Sequence, residues 1–128
     1  MYCLDTNIAI AIFRGDEELK NKVYSINEED IFITALTLCE LYKGAYLSKQ
    51  TEKSLTEINN FLLSFNILEL TREACHVFGK EYARLEKTGK MTEEADLIIA
   101  SIVKANEFTL ITRDKKHFEN TSAKLEVW

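Results

Sequence analysis

Hydrophobic residues fall into two patterns that alternate along the chain, short unbroken runs and stretches at helical spacing. Tyr2-Cys3-Leu4 is the first run and predicts a strand. It stops on Asp5, and Ile8, Ala9, Ile10 and Ile12 begin a helical pattern at once. After a turn at Arg14-Gly15-Asp16, a second helix is predicted from Glu17 to Ile26, with Leu19, Val23 and Ile26 on one side. Ile31-Phe32-Ile33 follows a polar break and suits a strand covered on both faces. A helix predicted to begin at Thr37 carries Leu38, Leu41, Tyr42 and Ala45, and the next carries Leu55, Ile58, Leu62 and Phe65. Ile67 to Leu70 predicts a third strand. Thr71 is placed to cap a long helix reaching about Lys87, with Ala74, Phe78, Tyr82 and Leu85 inward. Thr92 is placed to cap another, apolar almost all round from Leu97 to Val103 and therefore the most buried. Thr109 to Thr112 predicts a strand, Lys116 to Phe118 a short helix, and Leu125 to Val127 a last strand.

Strands alternating with helices predict an α/β chain, a three-layer α/β/α arrangement with a central, mainly parallel sheet. With 128 residues and no repeat, linker or low-complexity run, a single domain spanning 1–128 is expected. Hydrophobic residues at 46% and charged ones at 29% describe a globular chain, not a disordered one. No apolar run approaches the ~20 residues of a membrane span. Asp5 also interrupts any signal-peptide core, so a cytoplasmic location without membrane contact is expected.

Three cysteines, Cys3, Cys39 and Cys75, are odd in number and far apart, which argues against a disulfide framework or a zinc knuckle. Cys3 and Cys39 lie in apolar surroundings and are expected to be buried. Cys75-His76 is a poor nucleophile–base pair, because adjacent helical residues point apart. The four glycines form no phosphate-cradling motif, which disfavours nicotinamide and P-loop chemistry. A net charge of −5 disfavours a nucleic-acid binder that relies on a broad basic face.

The acids carry the chemistry. Ligands bind beyond the carboxyl ends of the strands in an open α/β sheet. Asp5 follows the first strand, Glu40 lies early in the helix after the second, Asp96 opens the most buried helix, and Asp114 follows the Thr109–Thr112 strand. Each has an ordinary alternative. Asp5, Thr6 or Asn7 suits a helix cap; Glu40 forms a capping box with Thr37; Asp96 suits a helix dipole; Asp114 suits a turn. All four would have to hold on the same edge. Crowded carboxylates repel unless a cation is present, and magnesium or manganese takes oxygen ligands from one or two carboxylates plus water. Such a site suits phosphoryl hydrolysis.

These residues resemble the PIN-domain family, specifically the VapC-type toxins of bacterial and archaeal toxin–antitoxin pairs. The likeness rests on Leu4–Asn7 (LDTN), Thr37–Gly44 (TLCELYKG), Asp96–Ala100 (DLIIA), Leu110–Phe118 (LITRDKKHF) and the ending Leu125–Trp128. It covers the whole chain in order. One departure is Met91-Thr92-Glu93-Glu94, where the family often has a small, glycine-containing segment.

The resemblance implies a PIN-like fold and a Mg2+- or Mn2+-dependent endoribonuclease whose catalytic quartet is Asp5, Glu40, Asp96 and Asp114. Asp5, Asp96 and, secondarily, Asp114 would ligate metal, and Thr6, Asn7 and Thr112 would orient the acids. It further implies an RNA substrate, a VapB-like antitoxin partner and a homodimer. Ile12, Phe13, Tyr42 and Tyr46 are candidates to line a groove for the antitoxin's tail. Arg14, Lys43, Arg113, Lys115 and Lys116 are candidate RNA contacts, though each is also an ordinary solvated charge. The alternatives are a phosphatase of similar architecture and a non-catalytic RNA- or protein-binding module. Haloacid-type phosphatases need a second aspartate two residues after the first, and Asn7 stands there.

Overall fold

The computed structural model describes residues 1–128. Its five strands form one all-parallel sheet: β1 (Tyr2–Leu4), β2 (Ile31–Thr34), β3 (Asn66–Leu68), β4 (Thr109–Thr112) and β5 (Lys124–Val127), in the order β3-β2-β1-β4-β5. Seven helices connect them: α1 (Thr6–Phe13), α2 (Glu17–Tyr24), α3 (Ala35–Leu47), α4 (Thr51–Leu62), α5 (Arg72–Thr88), α6 (Glu94–Ala105) and α7 (Lys115–Phe118). A 3₁₀ turn at Glu28–Asp30 fills the expected polar break. None of the helices is long and apolar enough to cross a membrane.

Strand alternation divides the core into two layers. Cys3 and Leu110 share one face of the sheet with the buried α6 residues Ile99, Ile102 and Val103, and with Phe118 of α7. Leu4, Ile33 and Ile111 lie in register on the other face, against Ile8 and Ile12 of α1 and Leu19 and Val23 of α2. The sheet is thus covered on both sides, which is why its central strands tolerate uninterrupted hydrophobic runs. Six of the twelve α6 residues are buried, the most of any helix, as its all-round hydrophobicity predicts.

Several boundaries differ from expectation. Helix α3 starts two residues early, because Thr34 rather than Thr37 caps it, accepting from Thr37 N at 3.4 Å. Glu40 therefore sits in the second helical turn and makes no capping box. Strand β3 ends at Leu68, leaving Glu69 and Leu70 exposed, while Thr71 caps α5 as expected by accepting from Ala74 N at 3.1 Å. Thr92 does not cap α6; its hydroxyl donates instead to His117 O at 2.6 Å, tying the approach to α6 onto α7. Cys39 is exposed, not buried, since it lies two residues from both Thr37 and Leu41, on the side of α3 opposite its buried face.

Candidate active site

The sheet reverses its winding between β1 and β4: β2 and β3 extend from one side of β1, β4 and β5 from the other. A crevice forms at such a switch point beyond the carboxyl ends of the strands. Asp5 stands there at the end of β1, and Thr112 at the end of the neighbouring β4.

Asp5 is 3% exposed. It holds the N-cap position of α1 but makes no capping hydrogen bond, so neither Thr6 nor Asn7 takes that role either. Its Oδ2 instead accepts from Thr112 Oγ1 at 2.9 Å. Burial pushes its pKa up; the Thr112 hydrogen bond and the nearby amides of Thr6 and Asn7 pull it down, and the charge of Asp114 pushes it up again. The result lies above the ordinary aspartate value. Beneath it, burial and the Asp5 charge raise the Cys3 thiol as well, which keeps that cysteine neutral and inert.

Asp96 enters from the first turn of α6, where the helix dipole favours an acid. Burial raises its pKa, His117 lowers it, and the charges of Asp5, Glu93 and Asp114 raise it. His117 Nδ1 lies 3.4 Å from Asp96 Oδ2. Asp114 thus adds to the resistance of both aspartates to ionisation, and Asp5 adds to that of Asp96.

A cavity of about 280 Å³ brings Asp5, Glu40 and Asp96 together, with Glu93, Cys39 and His117 also in its wall. Glu40 is exposed, and its carboxylate pairs with Lys43 at 2.9 Å. Asp114 stands beside the cavity, not in its wall. Its backbone N–H donates to Thr112 Oγ1 at 2.9 Å, and Asn7 Nδ2 donates to its Oδ2 at 3.4 Å. Thr112 and Asn7 therefore touch the acids. Thr6 does not orient one through its side chain; its hydroxyl meets Thr37 Oγ1 at 2.9 Å and joins the start of α1 to α3. No three His, Cys, Asp or Glu side chains converge tightly enough to enclose a metal ion.

The candidate cations are unequal. Lys43 is paired with Glu40, and Arg113 is held by Asp16 at 2.9 Å, the same carboxylate that caps α2 through Leu19 N. Arg14, Lys115 and Lys116 are exposed. Of the four groove candidates, Ile12 and Phe13 line a cavity of about 410 Å³ with Tyr24, Phe61 and Phe65. Tyr42 packs among α3 and α4, and Tyr46 is exposed.

Glu93 and His117 went without a role in the sequence. The signal for His117 was its place beside Phe118, the inward anchor of a helix that begins immediately after Asp114.

A parallel sheet in this order thus carries acids from three parts of the chain over its switch point. The chain belongs to the PIN-domain family, whose model matches residues 2–124. Among its relatives, the ribonuclease VapC2 of Haemophilus influenzae is 31% identical over 129 residues, covering 99% of this chain and 97% of that protein. The tRNA(fMet)-specific endonuclease VapC of Shigella flexneri is 26% identical over 128 residues, with 99% and 97% covered. The structure of VapBC2 from Rickettsia felis, bound to a promoter DNA fragment, matches with a TM-score of 0.90 and 27% identity, covering 99% of this chain and 98% of that one.

Proposed function

We propose that this chain is the toxin of a toxin–antitoxin pair, an endoribonuclease that hydrolyses RNA phosphodiester bonds with a divalent cation, Mg2+ or Mn2+, at Asp5 and Asp96. The observation that carries this reading is the convergence of Asp5, Glu40 and Asp96 on one cavity, with the pKa of both aspartates raised. Burial leads that shift, and repulsion among the acids adds to it, so a cation relieves what the fold imposes. The donors are hard oxygens, which fits magnesium or manganese; one or two carboxylates suffice because such ions keep several waters. A bound cation of this kind lowers the pKa of water and offsets negative charge on the phosphate oxygens.

The chain's own residues supply the rest. Thr112 holds Asp5 in one orientation and also fixes the backbone at Asp114. Asn7 steadies the Asp114 carboxylate, which supports the site as a secondary ligand. Glu40, joined to Lys43, is placed to accept a proton from attacking water, with the lysine available to a phosphate. Lys115 and Lys116 hold the approaching RNA strand. The apolar cavity along Ile12, Phe13, Phe61 and Phe65 suits the antitoxin's tail, and the pair acts in the cytoplasm, with the toxin as a homodimer.

Purified, antitoxin-free protein incubated with total RNA tests this directly. Cleavage is expected with Mg2+ or Mn2+ and is expected to stop with chelator, in Asp5→Asn and in Asp96→Asn. Cleavage that survives chelation, or both substitutions, overturns the metal-site mechanism. No cleavage of any RNA, with no growth arrest on expression, overturns the ribonuclease.

A further inference from the structure

A third cavity, of about 540 Å³, is lined by His76, Lys80, Glu81 and Arg84 of α5, Lys104 of α6 and Ser122 of the segment before β5. On a chain of net charge −5 this is a local concentration of cations, and its one acid faces inward. Glu81 is 6% exposed and accepts from Arg84 Nε at 2.7 Å, Arg84 Nη2 at 3.3 Å, Ser122 N at 2.7 Å and the Ser122 hydroxyl. A buried carboxylate is costly unless fully partnered, and here every partnership serves to fix Arg84 and Ser122. Arg84 Nη2 also donates to Asn120 O at 2.8 Å, yet its side chain stays 46% exposed. Lys104 Nζ donates to Ser122 Oγ. Neither Lys80 nor Lys104 has a carboxylate within 4.0 Å.

The spacing suits a strand of phosphates. His76, Lys80 and Arg84 are four residues apart on α5, so they form one stripe with steps of about 6 Å along the axis, comparable to the separation of successive phosphates. Lys104 lies on the same helix as Asp96, eight residues on and about 12 Å along the axis, and Asn120, whose carbonyl accepts from Arg84, follows His117 by three residues. We propose that Lys80, Arg84 and Lys104 form a phosphate-binding subsite that takes the RNA strand beyond the scissile bond. This rests on the ribonuclease reading and adds to it a second point of substrate contact.

The test uses the full chain with chelator, so that RNA is bound and not cut. A fluorescent single-stranded RNA of about 30 nucleotides is titrated by anisotropy between about 50 and 200 mM salt. The variant is Lys80→Gln with Lys104→Gln, both exposed, with folding checked by thermal unfolding; Lys20→Gln with Lys53→Gln is the control. Affinity is expected to fall about tenfold in the first pair and by less than about twofold in the control. Each lost phosphate contact lowers the slope of log K against log salt by about 0.7, so a drop of about 1.4 is expected. A double variant indistinguishable from the control overturns the subsite. So does a shift of the Ser122 amide resonance on adding inorganic phosphate, followed by NMR, when the RNA affinity of the double variant is unchanged. If the wild-type protein cleaves RNA but the slope does not move, the subsite fails and the ribonuclease stands. A smaller slope in a protein that cleaves nothing has the opposite meaning.

Discussion

Thr112 Oγ1 donates to Asp5 Oδ2 at 2.9 Å while accepting from the backbone N–H of Asp114 at the same distance. One hydroxyl thereby sets two acids that leave neighbouring strands, and both are held by the sheet register that pairs Leu4 with Ile111. Thr112→Val keeps the β-branched shape and removes the hydroxyl. Asp5 then loses the largest contact that lowers its pKa, so its acid form persists to higher pH. RNA cleavage near neutral pH is expected to fall about 10- to 100-fold, the usual cost of losing a group that orients a metal ligand. The acid limb of the pH–rate profile is expected to move upward, and Thr112→Ser to restore both. A valine variant within twofold of wild type at every pH excludes this role.

Asp5→Asn separates stability from activity. A carboxyl whose folded pKa is raised above its unfolded value stabilises the fold only while protonated. That contribution is complete below the unfolded value and is lost as pH rises through the folded one. At neutral pH with chelator, the neutral asparagine is therefore expected to melt at a higher temperature than wild type, although it cleaves no RNA. Added Mg2+ or Mn2+ is expected to raise the melting temperature of wild type in proportion to occupancy and to leave Asp5→Asn nearly unmoved. Equal metal shifts in both proteins would remove Asp5 from the ligand set.

Glu81 has the opposite pH dependence. Burial pushes its carboxyl up, but hydrogen bonds from Arg84 and Ser122 and the Arg84 charge outweigh this and bring the pKa from 4.5 to about 2. Its contribution is present above the unfolded value and disappears as pH falls from 4.5 toward about 2. The shift corresponds to roughly 3 kcal/mol. Glu81→Gln is expected to lose stability of that order at neutral pH and to show a flatter dependence below about pH 5. Urea unfolding at several pH values measures both. Parallel curves for wild type and variant would mean that Glu81 is not ionised in the fold.

Periodicity made the sheet and its layers legible because each strand is a short apolar run and each helix has a clear inner face. The acids Asp5, Asp96 and Asp114 were legible because strand ends and helix starts place them. The start of α3 was not, since Thr34 and Thr37 are equally good caps by type, and only the end of β2 selects the first. That two-residue displacement moved Glu40 from the first helical turn to the second. The Glu81 cluster was invisible for a different reason. A single acid in a helix reads as solvated surface, and its partner Ser122 lies 41 residues away.

The short helix α7 offers a test of how the site's far wall is held. Four residues cannot sustain a helix alone, so its position depends on tertiary contacts. The principal one is Phe118, fully buried in the layer with Leu110 and the inner face of α6. The same turn carries His117 against Asp96, and the His117 carbonyl holds Thr92 at the approach to α6. Phe118→Ala is expected to cost about 3–5 kcal/mol, whereas Phe118→Leu should cost less than about 1.5 kcal/mol. The alanine variant is also expected to cleave RNA more slowly at temperatures where unfolding curves show it still folded, because α7 no longer fixes His117 and Thr92 relative to Asp96. If its rate per folded molecule equals that of wild type, the α7 contacts stabilise the fold without shaping the site.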